Sequence, residues 1–528
     1  MNAAPAINRL AVRQVWPGSL IVLGISAGMT AVIAATHAGV TADPAAAAGL
    51  RNIAGNPAIR TLFGNPVALD HAGGFTVWRA GTPVAILLGT WAILTVTRIT
   101  RGAEEAGRWD LLLAGRVALR TLTARHLTVV AAVAVLTGAA VTAALSLTAD
   151  RPFGALLHGA GIGLIGLFSA ATAALAAQLF AARATASGAA VGVLGGALLL
   201  RMAGDGVTGL AWLRWLSPLG LIEISSPYGE NRVLPLVVLL LVTAGTGAAA
   251  LWLAGRRDAA GGLLTAGAGG RANRGLLGGV HAFAVRRMLL PLLAWTAGVL
   301  AYFLLIGLTA VSVTAFMAQN TTVSEMAGQA GFGSLDRVEG FTAAIFAVLA
   351  LPVGAFAAIR MGTFVAAESD RRLTLIAAQP VSRVRLLGAE AAATASGMAA
   401  LVTVAALAVW AGVTAAGGGL TAGAALRGTW NVLPVAMLSL GAAVFATGYA
   451  PRAVAAIGVL PTTGAFLLQI VADSAGAPGW VLDLSPFAHL APVPLAPVGV
   501  TAAVVMLVIG AVLAAAGVQG YRIRDLSG

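Results

Sequence analysis

The sequence predicts an all-α polytopic membrane protein of about 12 transmembrane helices, arranged as two parallel six-helix repeats. Of its 528 residues, 59% are hydrophobic and only 10% are charged, whereas about 25% of the residues in a soluble domain are charged. The apolar runs are continuous and about 20 residues long, which suits helices that satisfy their own backbone groups in lipid. A β-barrel would show alternating segments of about ten residues instead.

Twelve apolar runs define the predicted spans. An amphipathic stretch, 5–16, precedes the first run, and we interpret it as an interfacial helix that Pro17 and Gly18 separate from the span. A matching interfacial helix, 280–287, precedes the seventh run. The first run is too long for the core of a signal peptide, so we expect it to be retained. The predicted spans are residues 18–36, 80–97, 127–148, 155–182, 185–203, 233–254, 289–316, 341–364, 389–415, 429–448, 453–472 and 498–517.

The same plan occurs twice along the chain. The first half, 1–260, contains a charged segment at 104–125 and a polar, aromatic outer region at 204–232. A Gly-rich cytoplasmic linker, 261–279, leads to the second half, 280–528, which has its charged segment at 368–385 and its outer region at 473–497. Six spans is an even number, so both halves have the same orientation and the repeats are parallel.

The two charged segments are the best candidates for a functional surface. An offset of 263 residues places Glu105 on Glu368 and Arg108 on Arg371, and it places Leu112 and Leu113 on Leu375 and Ile376. Glu105 and Arg108 are expected one helical turn apart, beside an apolar edge. We interpret each segment as a short amphipathic helix that meets a cytoplasmic partner. The alternative is a helix that rests on the inner leaflet.

The distribution of arginine predicts the orientation. All 32 basic residues are arginine, and 23 of them fall on one side of the predicted spans. The positive-inside rule makes that side cytoplasmic, with both termini and both charged segments facing it in the cell membrane. The net charge of +13 is therefore interpreted as a topology signal, and no nucleic-acid partner is expected.

Several functions are disfavoured by what the chain lacks. Without lysine there is no P-loop, and without cysteine there is no thiolate nucleophile or thiolate metal site. The histidines show no metal-ligand spacing and the serines no nucleophile motif, so we expect no catalytic residue, no metal and no cofactor on this chain. Four charges lie near the ends of spans and are expected to reach water, namely Arg201, Asp205, Arg360 and Asp473.

Glycines at four-residue spacing predict close helix packing on two spans. Gly159 and Gly163 lie on the fourth span, and Gly188, Gly192 and Gly196 lie on the fifth. Small residues at this spacing let two helix backbones approach closely. The pattern therefore predicts tight contacts along both helices.

Together these features resemble the permeases of ABC-2 type exporters. The double-length, lysine-free form is similar to actinobacterial permeases described as exporters of polyketide antibiotics, of the tetronasin-resistance type. The second segment, with Gln379–Pro380, fits the family pattern better than the first. The resemblance implies a permease for multidrug efflux, powered by a separate cytoplasmic ATPase in two copies that carries the ATP and Mg²⁺. Segments 104–125 and 368–385 would then be its coupling helices.

The resemblance also implies a path for a small hydrophobic or amphipathic substrate between the halves, for which Trp91, Phe346 and Phe466 are candidate lining residues. Two other functions stay open. An ion-coupled secondary transporter of the 6+6 type would need membrane-embedded acids, and no predicted span carries an acid at its middle. A non-transporting membrane scaffold would use the same charged segments to recruit a cytoplasmic protein.

Overall fold

The chain folds as helices joined by turns. The computed structural model describes residues 4–42, 44–55, 57–115, 117–148, 150–258, 261–264, 275–319, 336–369, 380–474 and 478–524, and these contain no strand. Within these ranges, twelve helices are long and apolar enough to cross a membrane. The predicted all-α polytopic fold is thus confirmed, and the protein is a multi-pass membrane protein. The chain separates into two compact units, Met1–Arg271 and Ala272–Gly528, and each holds six of the twelve helices.

The first unit has six long helices and several short ones. The long helices are α1 (Ala4–Val40), α4 (Ala72–Ile99), α7 (Leu119–Thr148), α8 (Pro152–Leu179), α9 (Arg183–Gly206) and α11 (Leu234–Ala254). The short ones are α2 (Pro44–Gly55), α3 (Pro57–Phe63), α5 (Arg101–Glu105), α6 (Arg108–Leu113) and α10 (Pro218–Ile224), with a 3₁₀ helix at Thr208–Leu216.

The second unit has the same sequence of long helices with one interruption. Its helices are α12 (Val280–Gln319), α13 (Val338–Ser369), α14 (Arg383–Ala415), α15 (Ala422–Tyr449), α16 (Val454–Val459), α17 (Ala465–Ser474), α18 (Gly479–Leu482) and α19 (Val500–Ile523). A π turn, Leu460–Gly464, separates α16 from α17. The helix in the corresponding place of the first unit, α9, is continuous.

Each unit is built around one central helix. In the apolar stretch of α8, 78% of the residues are buried, and in that of α15, 72%, against 22% for α11. In the first unit, Leu88, Ile93 and Ile165 are fully buried in the clusters that surround α8. The central helix is therefore enclosed by its own unit, and the outer helices present apolar surface to lipid.

The predicted break between interfacial helix and first span does not occur. Helix α1 runs unbroken through Pro17, and α12 runs unbroken through Pro291. At 1.5 Å per residue, the 37 residues of α1 extend about 55 Å, whereas a hydrocarbon core is about 30 Å thick. Ile7, Val15 and Val22 on one face of α1 are all buried. Packing on both sides of the proline holds the helix in one piece, so 5–16 is an extension of the first span.

Matched contacts show that the two units repeat one structure. Ser217 donates to the carbonyl oxygen of Ala197, and Ser485 donates to that of Ala465, 268 residues further on in both cases. A Cβ atom added to Gly89 would lie 2.9 Å from Ser169 Oγ, and one added to Gly354 would lie 2.9 Å from Ser439 Oγ. Equivalent positions can therefore be compared residue by residue.

Candidate functional site

The charged segment after α4 forms two short helices instead of the single one predicted. Gly107 has φ +66°, the left-handed region that favours glycine, and this ends α5 and starts α6 in a new direction. Glu105 and Arg108, expected one turn apart on one helix, consequently lie on different helices. The glycine was visible in the sequence, but a single glycine inside a helical pattern is not a reliable break.

Helix α6 is held against the unit by Trp109. This side chain is 2% exposed, and its ring centroid lies 5.5 Å from that of His126 on α7. It belongs to a small cluster with Ile7 of α1 and Leu122 of α7. The predicted contact residues Leu112 and Leu113 pack partly against that cluster, and so they serve mainly to seat the helix.

The outward side of these helices combines charge with one large apolar side chain. Leu111 is 85% exposed, and Glu105, Arg108 and Asp110 around it are exposed too. We call these four residues the α5–α6 surface. Glu105 also accepts a hydrogen bond from the backbone N–H of Arg183 at 2.7 Å, which ties α5 to the start of α9. The surface is thus a rigid projection with an apolar centre.

The second charged segment is described only at its ends. Glu368, in the last turn of α13, forms an ion pair with Arg524 near the end of the chain. Arg383, which begins α14, donates to the carbonyl oxygen of Arg524 at 2.6 Å. The other predicted contact residues, Arg371, Leu375 and Ile376, lie outside the described residues.

Directly beside the α5–α6 surface lies a buried ion cluster. Glu104 receives two hydrogen bonds from Arg257, at 2.6 and 2.7 Å, and pairs with Arg101 at 2.9 Å. All three side chains are at most 3% exposed. Arg257 also donates to Gln178 Oε1 at the end of α8, at 2.7 Å. This cluster fastens the residues that follow α11 to the same end of the unit that carries the surface.

A second buried cluster lies in the second unit. Glu390 on α14 pairs with Arg360 of α13 at 2.7 Å and with Arg287 of α12 at 2.8 Å. Arg360 was expected to reach water, and this was wrong, because the side chain is only 5% exposed and its charge is met by Glu390. Three helices are joined at this point.

The expectation that Arg201 and Asp205 reach water was also wrong. Their side chains are 2% and 0% exposed, because the segment after α3 and helix α10 cover the end of α9. Asn65 bridges them to α10 by donating to Asp205 at 2.9 Å and to Glu223 at 2.5 Å. The side chain of Asp473, the fourth such charge, lies outside the described residues.

The three predicted path residues lie in different surroundings. Trp91 on α4 is half-buried and packs against both core clusters of the first unit. Phe346 on α13 is 1% exposed, and a Cβ atom added to Gly428 would lie 2.4 Å from its ring. Phe466 is half-buried, with its ring centroid 5.6 Å from that of Phe487. Phe346 is thus a packing residue of its own unit.

Comparison with known proteins points to one kind of protein. Residues 277–522 match the family model for the C-terminal domain of the multidrug efflux system permease Rv1217c. Along 525 residues, the chain is 31% identical to the multidrug efflux system permease protein Rv1217c of Mycobacterium tuberculosis. That alignment covers 96% of this chain and 92% of the relative, so the similarity extends over both units.

Proposed function

The chain belongs to the family of ABC-2 type multidrug efflux permeases, and on that premise we propose that it is the membrane subunit of an ATP-driven exporter. A separate ATPase subunit would bind ATP and Mg²⁺ and would drive the export of hydrophobic or amphipathic compounds. The relative's name describes it as the permease of a multidrug efflux system, which supports a division of labour between subunits.

The observation that carries this proposal is the α5–α6 surface. An apolar side chain that is 85% exposed, surrounded by charges, is what a partner groove needs for an anchor and an orientation. Trp109 holds α6 from behind, so movement of a bound partner would be transmitted to α1 and α7 through the cluster it shares with Ile7 and Leu122. We propose Leu111 as the central apolar contact, with Leu112 and Leu113 as its support.

Two copies of the ATPase per chain are proposed because the charged segment occurs twice. Segment 368–385 follows α13 as 104–125 follows α4. In the second unit Glu368 is engaged by Arg524, whereas its counterpart Glu105 is exposed. We therefore expect the two docking sites to contribute unequally.

The first experiment tests the docking surface. Leu111→Asp should lower the number of ATPase copies that co-purify with each chain from two toward one, and it should reduce drug-stimulated ATP hydrolysis, since loss of a central anchor costs about 2 kcal/mol or more, roughly thirtyfold in affinity. The control is Leu147→Asp, at a leucine of the same unit that is 88% exposed at the other end of α7. Wild-type permease that purifies without an ATPase, or Leu111→Asp that retains as many ATPase copies as the wild type, would refute the proposal.

The second experiment tests the orientation of the permease. We propose that it lies in the plasma membrane with both termini in the cytoplasm. The chain has no cysteine, so a single introduced cysteine can be labelled without background. Asp110→Cys should react with a membrane-impermeant maleimide only in inside-out vesicles. Asp150→Cys, between α7 and α8, should react only in intact cells, and the reverse pattern would invert the topology.

A further inference from the structure

The first unit contains a pocket at the end of the bundle opposite the α5–α6 surface. The space that water-sized spheres can enter, counted at their centres, is about 50 Å³, which is enough for a few water molecules or one small charged group. It opens between the early turns of α4, the segment that follows α3, and the ends of α8, α9 and α10. The apolar walls are formed by aromatic and branched side chains, among them Phe63, Trp78, Leu219 and Ile222.

One side of the pocket carries a buried arginine whose charge is already satisfied. Arg201 donates to the carbonyl oxygens of Leu62 at 2.9 Å and Thr61 at 3.2 Å, and to Thr82 Oγ1 at 3.2 Å. Its Nε faces Asp205 at 3.7 Å. The guanidinium group is therefore surrounded by acceptors and presents little to an incoming anion.

Glu223 forms an ion pair with the same arginine, but one of its carboxylate oxygens has no hydrogen-bond donor in the described part of the chain. Its Oε1 accepts from the backbone N–H of Asn65 at 2.8 Å and from the side-chain amide of the same residue. Its Oε2 accepts no hydrogen bond from the described residues, and Arg201 Nη1 is 3.8 Å away. Leaving a buried carboxylate oxygen without a donor is costly. A ligand that brings an N–H donor into the pocket would remove that cost.

The second unit fills the equivalent space. Gly81 precedes Gly89 by the same number of residues as Phe346 precedes the matched Gly354, so Gly81 corresponds to Phe346. Counted from Ser169 and Ser439, His158 corresponds to Gly428. In the first unit the imidazole of His158 lies against Gly81, and in the second the ring of Phe346 lies against Gly428.

The charge changes as well between the two units. Counted from Ala197 and Ala465, Arg201 corresponds to Gln469, whose Oε1 accepts from Ser485 at 2.9 Å. The second unit has thus replaced a buried charge with a neutral amide at this position. The polar pocket is a feature of the first unit, created by a glycine where its repeat carries phenylalanine.

We propose that this pocket binds the protonated amine of an amphipathic cargo, with Glu223 Oε2 as the acceptor and the rings of Phe63 and Trp78 beside the cation. The face of an aromatic ring attracts a cation and also packs against apolar carbon. The centroids of these two rings lie 5.3 Å apart. An anion would instead meet the free oxygen of Glu223. The inference rests on the proposed export function and names its substrate class.

The test uses two fluorescent probes and the purified permease without any ATPase. Dansylcadaverine carries a terminal ammonium, and N-hexyl dansylamide has a methyl group in its place. Wild-type permease should bind the amine at least tenfold more tightly. Glu223→Gln should remove that preference and leave the neutral probe unchanged, while Glu230→Gln, at a carboxylate that is 65% exposed in the following loop, should change neither affinity.

A second variant keeps the test decisive if Glu223→Gln does not fold. Gly81→Phe combined with His158→Gly copies the pair that the second unit already accommodates, and it should abolish binding of the amine probe. Equal affinity for both probes in the wild type, or amine binding that survives both variants, would overturn the pocket proposal. If the pocket proposal failed but drug-stimulated ATP hydrolysis were intact, the exporter proposal would stand. If the permease bound the amine selectively but no ATPase co-purified with it, the pocket proposal would stand and the exporter proposal would fail.

Discussion

Removing the charge of Glu104 should destabilise the first unit strongly. The carboxylate meets Arg257 through two short hydrogen bonds and Arg101 through a third contact, with all three side chains almost fully buried. Glu104→Gln keeps the shape but removes the negative charge that both buried guanidinium groups contact, and breaking a buried pair costs about 3–5 kcal/mol. Because Arg257 retains its bond to Gln178 Oε1, we expect the lower end, about 3 kcal/mol.

The neighbouring acid supplies the control. Glu105 is exposed and accepts a hydrogen bond from one backbone N–H. Glu105→Gln removes the charge but keeps an acceptor oxygen, so it should destabilise the unit by about 1 kcal/mol or less. Thermal unfolding in detergent, followed by the loss of monodisperse protein, should show a much lower midpoint for Glu104→Gln than for Glu105→Gln. Adding Arg257→Gln to Glu104→Gln should cost less than the two single changes together. Equal midpoints for the two single acid variants would refute the view that burial and pairing decide their roles.

Three further outcomes are expected from the same measurement. Glu390→Gln should cost about 3 kcal/mol in the second unit, because two arginines then lose their counter-charge. Gly448→Ala should destabilise by about 1–3 kcal/mol, since the new Cβ would lie 2.4 Å from the carbonyl oxygen of Gly517, whereas Gly192→Ala meets no described atom within 4 Å and should be neutral or stabilising. Burial lowers the pKa of His71, whose Nδ1 caps α4. Stability should accordingly fall as pH drops below about 6.5, and His71→Asn should flatten that dependence.

The membrane architecture was predictable because long apolar runs have one solution in lipid. The predicted span 127–148, for example, lies within α7 (Leu119–Thr148), and the predicted span 233–254 agrees with α11 (Leu234–Ala254) to one residue. Pro17 misled the prediction at the start of the first half. Pro17 is compatible with a continuous helix when side chains on both sides of it pack on the same neighbours, and that packing is a tertiary property.

The glycine pattern shows why a motif alone does not decide a contact. On the fourth span it is confirmed, since a Cβ atom on Gly159 would lie 2.4 Å from the carbonyl oxygen of Gly138 on α7. On the fifth span the prediction was wrong for the described residues, because no atom among them lies within 4 Å of a Cβ placed on Gly188 or Gly192. Spacing puts glycines on one face of a helix, but only the tertiary fold determines what that face meets.

For the same reason, the sequence does not show which side chains of the first charged segment face outward. Glu104 and Glu105 are adjacent and chemically identical, yet one is buried between two arginines and the other is exposed. Leu111 and Leu112 differ in the same way, with Leu112 partly packed against the cluster of Trp109. The turn at Gly107 sets which side chain faces outward, and hydrophobic periodicity cannot be continued across such a turn.

A duplicated permease is free to change one copy of a site while the other copy maintains the fold. The exchange of Gly81 and His158 for Phe346 and Gly428 is such a change, because each pair places one ring against one glycine where the central helix meets its neighbour, but the ring comes from the central helix in the first unit and from the neighbour in the second. The arrangement in the first unit, with a glycine at position 81, leaves a pocket beside Glu223. If this pocket binds the amine of the exported compound, each chain has one such binding site in the first unit and two segments that dock an ATPase. The converse exchange in the second unit, Phe346→Gly with Gly428→His, should then fold and leave amine binding unchanged. A second binding event in that variant would show that the ring and glycine pair alone creates the site, without Arg201 and Glu223.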